Sequence, residues 1–197
     1  MFDLPSQLAF EGFINALPEG ANVGLVVAEC DLALGAVVAG PSRRQAVGDE
    51  VKRHWGIDLP LGPSRSGGDG RNFIGIAPDT WLYVGHRRHD LAWATLTADL
   101  ATLAGVADQT GAYAVLRLTG PAARAVLQAG LFVDLYPDAF SEHAAATSVI
   151  GHIDVTVWRV EDREGFEVAV PRSYAASFFH WIKTTADAAG ITLGREA

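Results

Sequence analysis

The chain has 197 residues with 15 basic and 23 acidic side chains, a net charge of −8, a pI near 5.1 and a mean hydropathy of +0.17. This length allows one domain or two small packed ones, with roughly 70% of the unfolded surface buried. The acidic balance, with no basic run beyond Arg43-Arg44 and Arg87-Arg88, excludes nucleic acid as a partner, and a lone Cys30 excludes a disulfide framework and points to a reducing compartment.

Hydrophobic residues make up 49% of the chain, more apolar material than a small core needs, which reads either as surface covered by a partner or as a well-filled α+β core. Met1-Phe2-Asp3-Leu4-Pro5 lacks the basic start and apolar core of a signal peptide. No apolar run approaches the roughly 20 residues of a membrane span. A cytoplasmic protein is expected.

Residues 1–20 carry Leu4, Leu8, Phe13, Ile14 and Leu17 at near-helical spacing, a short amphipathic helix or arm that docks on its own domain or on another subunit. Val23 to Glu29 and Leu34 to Ala39 read as strands joined by a turn around Asp31. Pro41 and Ser42 start a helix to about Trp55, stopped by Gly56. The glycine- and proline-rich run from Pro60 to Arg71 reads as a flexible loop, and Gly67-Gly68-Asp69-Gly70 as a mobile surface turn. Strands Phe73 to Ala77 and Trp81 to Val84 and a helix from Asp90 to Leu103 follow.

The second half repeats the order. It has strand Ala112 to Leu118, helix Pro121 to about Ala129, strands Ser148 to Ile150, Val155 to Val160 and Phe166 to Val170, and a last helix from Ser173 to Ala189. In that helix Ser173 is the expected N-cap, and Tyr174, Phe178, Trp181 and Ile182 form an apolar stripe. The irregular alternation with hairpin signals gives an α+β class. Gly40-Pro41 recurs as Gly120-Pro121, each ending an apolar run before a helix that closes on Asp-Leu, at Asp58-Leu59 and Asp134-Leu135. The strand ending at Pro78 is matched to the one ending at Pro171. The expected organisation is therefore an arm over 1–20 and a duplicated pair of subdomains, 21–105 and 106–197. Such a pair favours a binding or assembly role.

Candidate chemistry is sparse. His86 and His89, beside Asp90, are the nearest approach to a metal pair, too few ligands for a site. Neither Gly-x-Ser-x-Gly nor Gly-x-Gly-x-x-Gly occurs. Glu161-Asp162-Arg163-Glu164 reads as a solvated hairpin turn. Asp108 and Asp154 are strand-end residues that could instead be buried carboxylates with raised pKa. No catalytic, cofactor or metal residue is assigned to this chain.

Val106-Ala107-Asp108-Gln109-Thr110-Gly111 and the following Ala114 to Ala123 resemble the opening motif of the glycine cleavage T-protein superfamily, folate-binding aminomethyltransferases and demethylases. Within it, Gly56 to Pro60, Gly75 to Leu82, Asp134-Leu135-Tyr136-Pro137 with Phe140, and Val170-Pro171-Arg172-Ser173-Tyr174-Ala175 with His180-Trp181 resemble the gamma subunits of heterotetrameric sarcosine oxidases. The resemblance implies an α+β fold of two swapped, pseudo-equivalent β-α-β subdomains with antiparallel sheets. It also implies a complex with alpha, beta and delta chains, chiefly alpha, that oxidatively demethylates sarcosine to glycine. The one-carbon unit would pass to tetrahydrofolate or leave as formaldehyde, with hydrogen peroxide formed. FAD, FMN, NAD and tetrahydrofolate would sit on the other subunits, and this chain would be non-catalytic.

Where the strand before the last helix of folate-using members ends in a Val-Asn-Ala type segment, this chain reads Val170-Pro171-Arg172, and proline offers neither a side-chain amide nor a backbone N–H. Arg172 is read either as an ion-pair partner for a neighbouring subunit or as a local bond within the chain. With Phe178, Phe179 and Trp181 on a broad apolar helix, it makes the expected subunit interface. The rival reading is an autonomous folate-binding aminomethyltransferase or demethylase with Asp108 or Asp154 as acid or base.

Overall fold

The computed structural model describes residues 8–19, 23–68, 70–86, 90–160 and 165–196. The elements run α1 (Glu11–Ile14), β1 (Leu25–Cys30), β2 (Leu32–Ala39), α2 (Arg44–Trp55), β3 (Arg65–Gly68), β4 (Arg71–Ala77), β5 (Thr80–His86), α3 (Asp90–Leu100), β6 (Ala104–Asp108), β7 (Tyr113–Thr119), α4 (Ala123–Gln128), β8 (Ala145–Ile150), β9 (Ile153–Arg159), β10 (Gly165–Pro171), a 3-10 turn at Arg172–Tyr174, α5 (Ala175–Ala188) and β11 (Leu193–Arg195). One sheet has the order β11-β1-β7-β10-β9-β8 and the other β3-β4-β5-β2-β6. Read by position, β1, β7, β10, β9 and β8 correspond to β6, β2, β5, β4 and β3, and β11 is an addition.

The duplication is therefore real, and it is swapped. β1 belongs to the first half but pairs antiparallel with β7 of the second, from Val26 opposite Thr119 to Cys30 opposite Val115. Its counterpart β6 returns to pair with β2, from Gly35 opposite Asp108 to Ala39 opposite Ala104. The turn expected at Asp31 is thus a passage between sheets, because β1 and β2 do not pair. The Gly-Pro correspondence holds, since both pairs lie between a β2-type strand and the following helix. The match of Pro78 to Pro171 does not. Pro78 lies in the β4–β5 hairpin, whereas β10 occupies the place of β5.

Strand alternation explains the layering. On β10, Phe166, Val168 and Val170 face α4 and α5 in one core. On β4 and β5, Phe73, Trp81 and Tyr83 face α2 and α3 in a second. The opposite faces bring Leu34, Ile74, Leu82 and Val84 against Val115, Trp158 and Ala169 between the sheets. The result is helices, sheet, sheet, helices, with both faces of each sheet covered.

Several local expectations change. The run read as a flexible loop contains β3, which pairs with β4 from Arg65 opposite Ile74 to Gly68 opposite Arg71; a Cβ at Gly67 would lie 2.2 Å from the Arg71 carbonyl, so glycine there serves close backbone approach. Asp69 lies outside the described residues. Gly56, at φ +68°, ends α2 as expected, its N–H bonding the Lys52 carbonyl. Ser173 does not cap α5. It lies in the 3-10 turn, and the helix starts after Tyr174 without a side-chain cap.

Of the arm, the described part docks on its own domain. Phe10 is fully buried and meets Phe178 edge-on at 6.5 Å, while Phe13 stacks on Phe179 at 5.3 Å. Leu4 and Pro5 lie outside the described residues. Among the described residues, no helix is long and apolar enough to cross a membrane.

Candidate functional site

A charged strand residue with both sheet faces covered must find a partner or be expelled. β7 and β10 each carry one, and the register sets Arg117 directly opposite Glu167 on the face turned toward the other sheet. Arg117 donates to Glu167 Oε1 through Nε at 3.0 Å and Nη2 at 2.7 Å. Trp158 of β9 donates its indole N–H to Oε2 at 2.7 Å. The Cys30 thiol lies 3.5 Å from Oε1. Burial raises the thiol pKa, with the Glu167 charge adding to it, so Cys30 stays protonated and unreactive.

Arg117 and Glu167 line a cavity of about 220 Å³ between the sheets, whose other wall includes Arg65, Asn72 and His86. Arg65 is a buried cation, its Nη1 reaching Asn72 Oδ1 at 3.5 Å. Its backbone N–H donates to the His143 carbonyl at 2.7 Å, tying β3 to the chain entering β8. The cavity is smaller than the about 300–1,000 Å³ usual for a drug-sized ligand. Glu167 already accepts two bonds from Arg117 on Oε1 and one from Trp158 on Oε2, which leaves one lone pair of Oε2 for a further donor.

The candidates chosen from sequence lie elsewhere. Asp108 and Asp154 are exposed rather than buried. Asp108 caps the turn after β6 by accepting the Thr110 N–H at 2.8 Å, and Asp154 sits opposite Val149 in the β8–β9 hairpin. His86 ends β5, while His89 and the turn Glu161 to Glu164 lie outside the described residues.

The four residues read as an interface also separate. Phe178 and Phe179 are 0% and 5% exposed, buried in this chain's own core, so they leave no free surface for a neighbour. Trp181 is half-buried; it stacks on Phe178 at 6.2 Å and lies so close to Gly130 that a Cβ there would meet its ring at 2.5 Å. Arg172 donates its backbone N–H to the Ala112 carbonyl at 2.8 Å, and its charge acts on Glu29, favouring the ionised carboxylate. Glu29 accepts the backbone N–H groups of Ala9 and Phe10 at 2.7 and 2.6 Å, fastening the N-terminal segment to β1. The exposed apolar side chains are others, foremost Phe132 at 89% and Leu61 at 81%.

The sequence model of the GCVT N-terminal domain matches residues 75–197. The chain belongs to that family. This GCVT-domain chain is 31% identical over 129 residues to the sarcosine oxidase subunit gamma of Corynebacterium sp. (strain P-1), an alignment covering 64% of this chain and 62% of that protein's length. With the subunit gamma of an Arthrobacter species it shares 25% identity over 176 residues, 87% of this chain and 85% of the relative. Similarity to sarcosine oxidase gamma subunits is thus found, as the motifs implied.

In fold, the GCVT-domain chain resembles a chain of the heterotetrameric sarcosine oxidase from Corynebacterium sp. U-96 in complex with pyrrole 2-carboxylate. The TM-score is 0.80 at 21% identity, covering 93% of this chain and 96% of that one. It also resembles the glycine cleavage system aminomethyltransferase T from Bartonella henselae, with TM-score 0.61 at 15% identity, covering 88% of this chain and 48% of that one.

Proposed function

We propose that this chain is a non-catalytic, gamma-type subunit of a cytoplasmic sarcosine oxidase-type complex that demethylates an N-methylated amino acid. The observation that carries the non-catalytic part is the closed pair of Glu167 and Arg117. The acid in the cavity between the sheets is ion-paired to Arg117 and bonded by the Trp158 indole of the same chain, which holds it ionised and in place and disfavours its use as a base or as a pterin ligand. Similarity to curated gamma subunits over 176 residues supports the assembly part.

In this reading FAD, FMN, NAD and tetrahydrofolate sit on alpha, beta and delta chains, and alpha is the main neighbour. The chain contributes shape and apolar surface. Phe132 and Leu61, which its own core leaves bare, meet the complex rather than water.

Affinity purification of the untagged complex from the native cell, followed by mass spectrometry and flavin absorbance, tests the assignment. The expected result is recovery of this chain with a large flavoprotein in fixed stoichiometry. Recovery as a free chain would overturn it. Titration of the isolated chain with tetrahydrofolate separates out the autonomous transferase: saturable binding, weakened by Glu167→Gln, would replace the present proposal with that reading.

A further inference from the structure

Away from the cavity between the sheets, α2 and α3 bring three metal-ligating side chains together. Glu50 and His54 stand at i and i+4 on α2, hence on one face, and Asp99 reaches across from α3. His54 Nδ1 bonds the Asp99 carboxylate, and its Nε2 lies 3.6 Å from Glu50 Oε1. One ligand atom from each of the three residues falls within 4.8 Å of the others. Their side chains are 26% exposed at His54, 22% at Glu50 and 21% at Asp99, sheltered yet reachable from solvent.

We propose that Glu50, His54 and Asp99 form a divalent transition-metal site that staples α2 to α3. Tetrahedral ligands about 2.0–2.1 Å from a zinc ion stand about 3.4 Å apart; because one ion takes one ring nitrogen while Asp99 stands at Nδ1 and Glu50 at Nε2, closing the triad asks for a turn of the His54 ring or a swing of one carboxylate, with ligand movements of about 1–2 Å. The fourth position is left to water. One imidazole and two carboxylates suit Zn²⁺, Co²⁺ or Ni²⁺, whereas Mg²⁺ and Ca²⁺ prefer oxygen-only shells of six or more ligands. Arg53 bonds the same Glu50 Oε1 through Nη2 and the second oxygen, Oε2, through Nε at 3.4 Å, so the metal must take Oε1 from Nη2 while the Nε contact holds the other oxygen. With two carboxylates facing one imidazole, a dication also relieves the excess negative charge of the triad.

The test is calorimetric titration of ZnCl₂ into the full, tag-free chain freed of metal with EDTA, paired with thermal melting. The expected result is one Zn²⁺ per chain with micromolar affinity, no comparable heat from MgCl₂, and a Tm raised by about 5–10 °C at a hundredfold excess over Kd. Both His54→Asn and Asp99→Asn are expected to weaken binding at least tenfold. Asp99→Asn retains a hydrogen bond to His54 and decides the matter if His54→Asn fails to fold. Absence of a stoichiometric site, or zinc binding unchanged in Asp99→Asn, overturns the proposal.

Discussion

Removing both members of the Glu167–Arg117 pair should cost less than the sum of the two single removals. The side chains are 12% and 28% exposed, so each is substantially desolvated and depends on the other. Breaking a buried pair by deleting one partner typically costs about 3–5 kcal/mol; the partial exposure of Arg117 brings the expectation here to about 2–3 kcal/mol. Glu167→Gln keeps an acceptor for the Trp158 indole and the same volume, so its cost isolates the lost charge. Arg117→Met keeps the length and strands the carboxylate. Each single variant should lower Tm by about 4–12 °C for a chain of this size. The double variant should recover about 1.5–2 kcal/mol relative to the sum of the singles. Equilibrium unfolding in urea, followed by circular dichroism on all four proteins, provides the cycle. Additivity within about 0.5 kcal/mol would refute the claim that the two charges exist for each other.

Burial raises the Glu29 carboxyl above its ordinary value of 4.5, against the opposing pull of the Phe10 and Ala9 N–H groups and Arg172. The native state therefore holds that proton more tightly than the unfolded chain, and the stability this confers is present below the ordinary value and lost as pH climbs through the raised one. The Tm advantage of wild type over Glu29→Gln should accordingly shrink from pH 4 to pH 7 in a melting series; an advantage that grows with pH would contradict the burial argument. Gly130→Ala should cost about 1–3 kcal/mol in chemical denaturation, because its Cβ would meet the half-buried Trp181 ring at 2.5 Å, and an unchanged midpoint would show that the ring has room to retreat. Phe132→Ser should leave stability within about 0.5 kcal/mol while reducing recovery of the flavoprotein partner in a pull-down. A Tm loss of many degrees would mean that Phe132 is packed within the chain.

Most elements were legible because their signals are local. Gly56 after the basic turn of α2, and the alternating runs at β4, β5 and β10, carry their structure in a few residues. β3 was hidden by composition: Arg65-Ser66-Gly67-Gly68 has turn residues throughout, yet cross-strand approach demands glycine there. β6 was hidden because Val106-Ala107-Asp108 is an edge strand whose partner, β2, lies some 70 positions earlier. The site had a readable signal that went unused. Arg117 and Glu167 each interrupt a strand that is otherwise apolar on both sides, and opposite charges in that setting point to a pair across neighbouring strands. By contrast, Phe178 and Phe179 were read as surplus, since nothing in the last helix announces that Phe10, well over a hundred residues away, will cover them.

The exchange of β1 and β6 has a consequence for how the chain leaves the ribosome. Leu25–Cys30 is made early but finds its antiparallel mate only when Tyr113–Thr119 emerges, so a greasy strand stays uncommitted while some 80 further residues are made. Neither sheet can close on material from one half alone. A nascent chain of this kind invites a chaperone, and a gene cut between the halves should give two fragments that acquire order only on meeting.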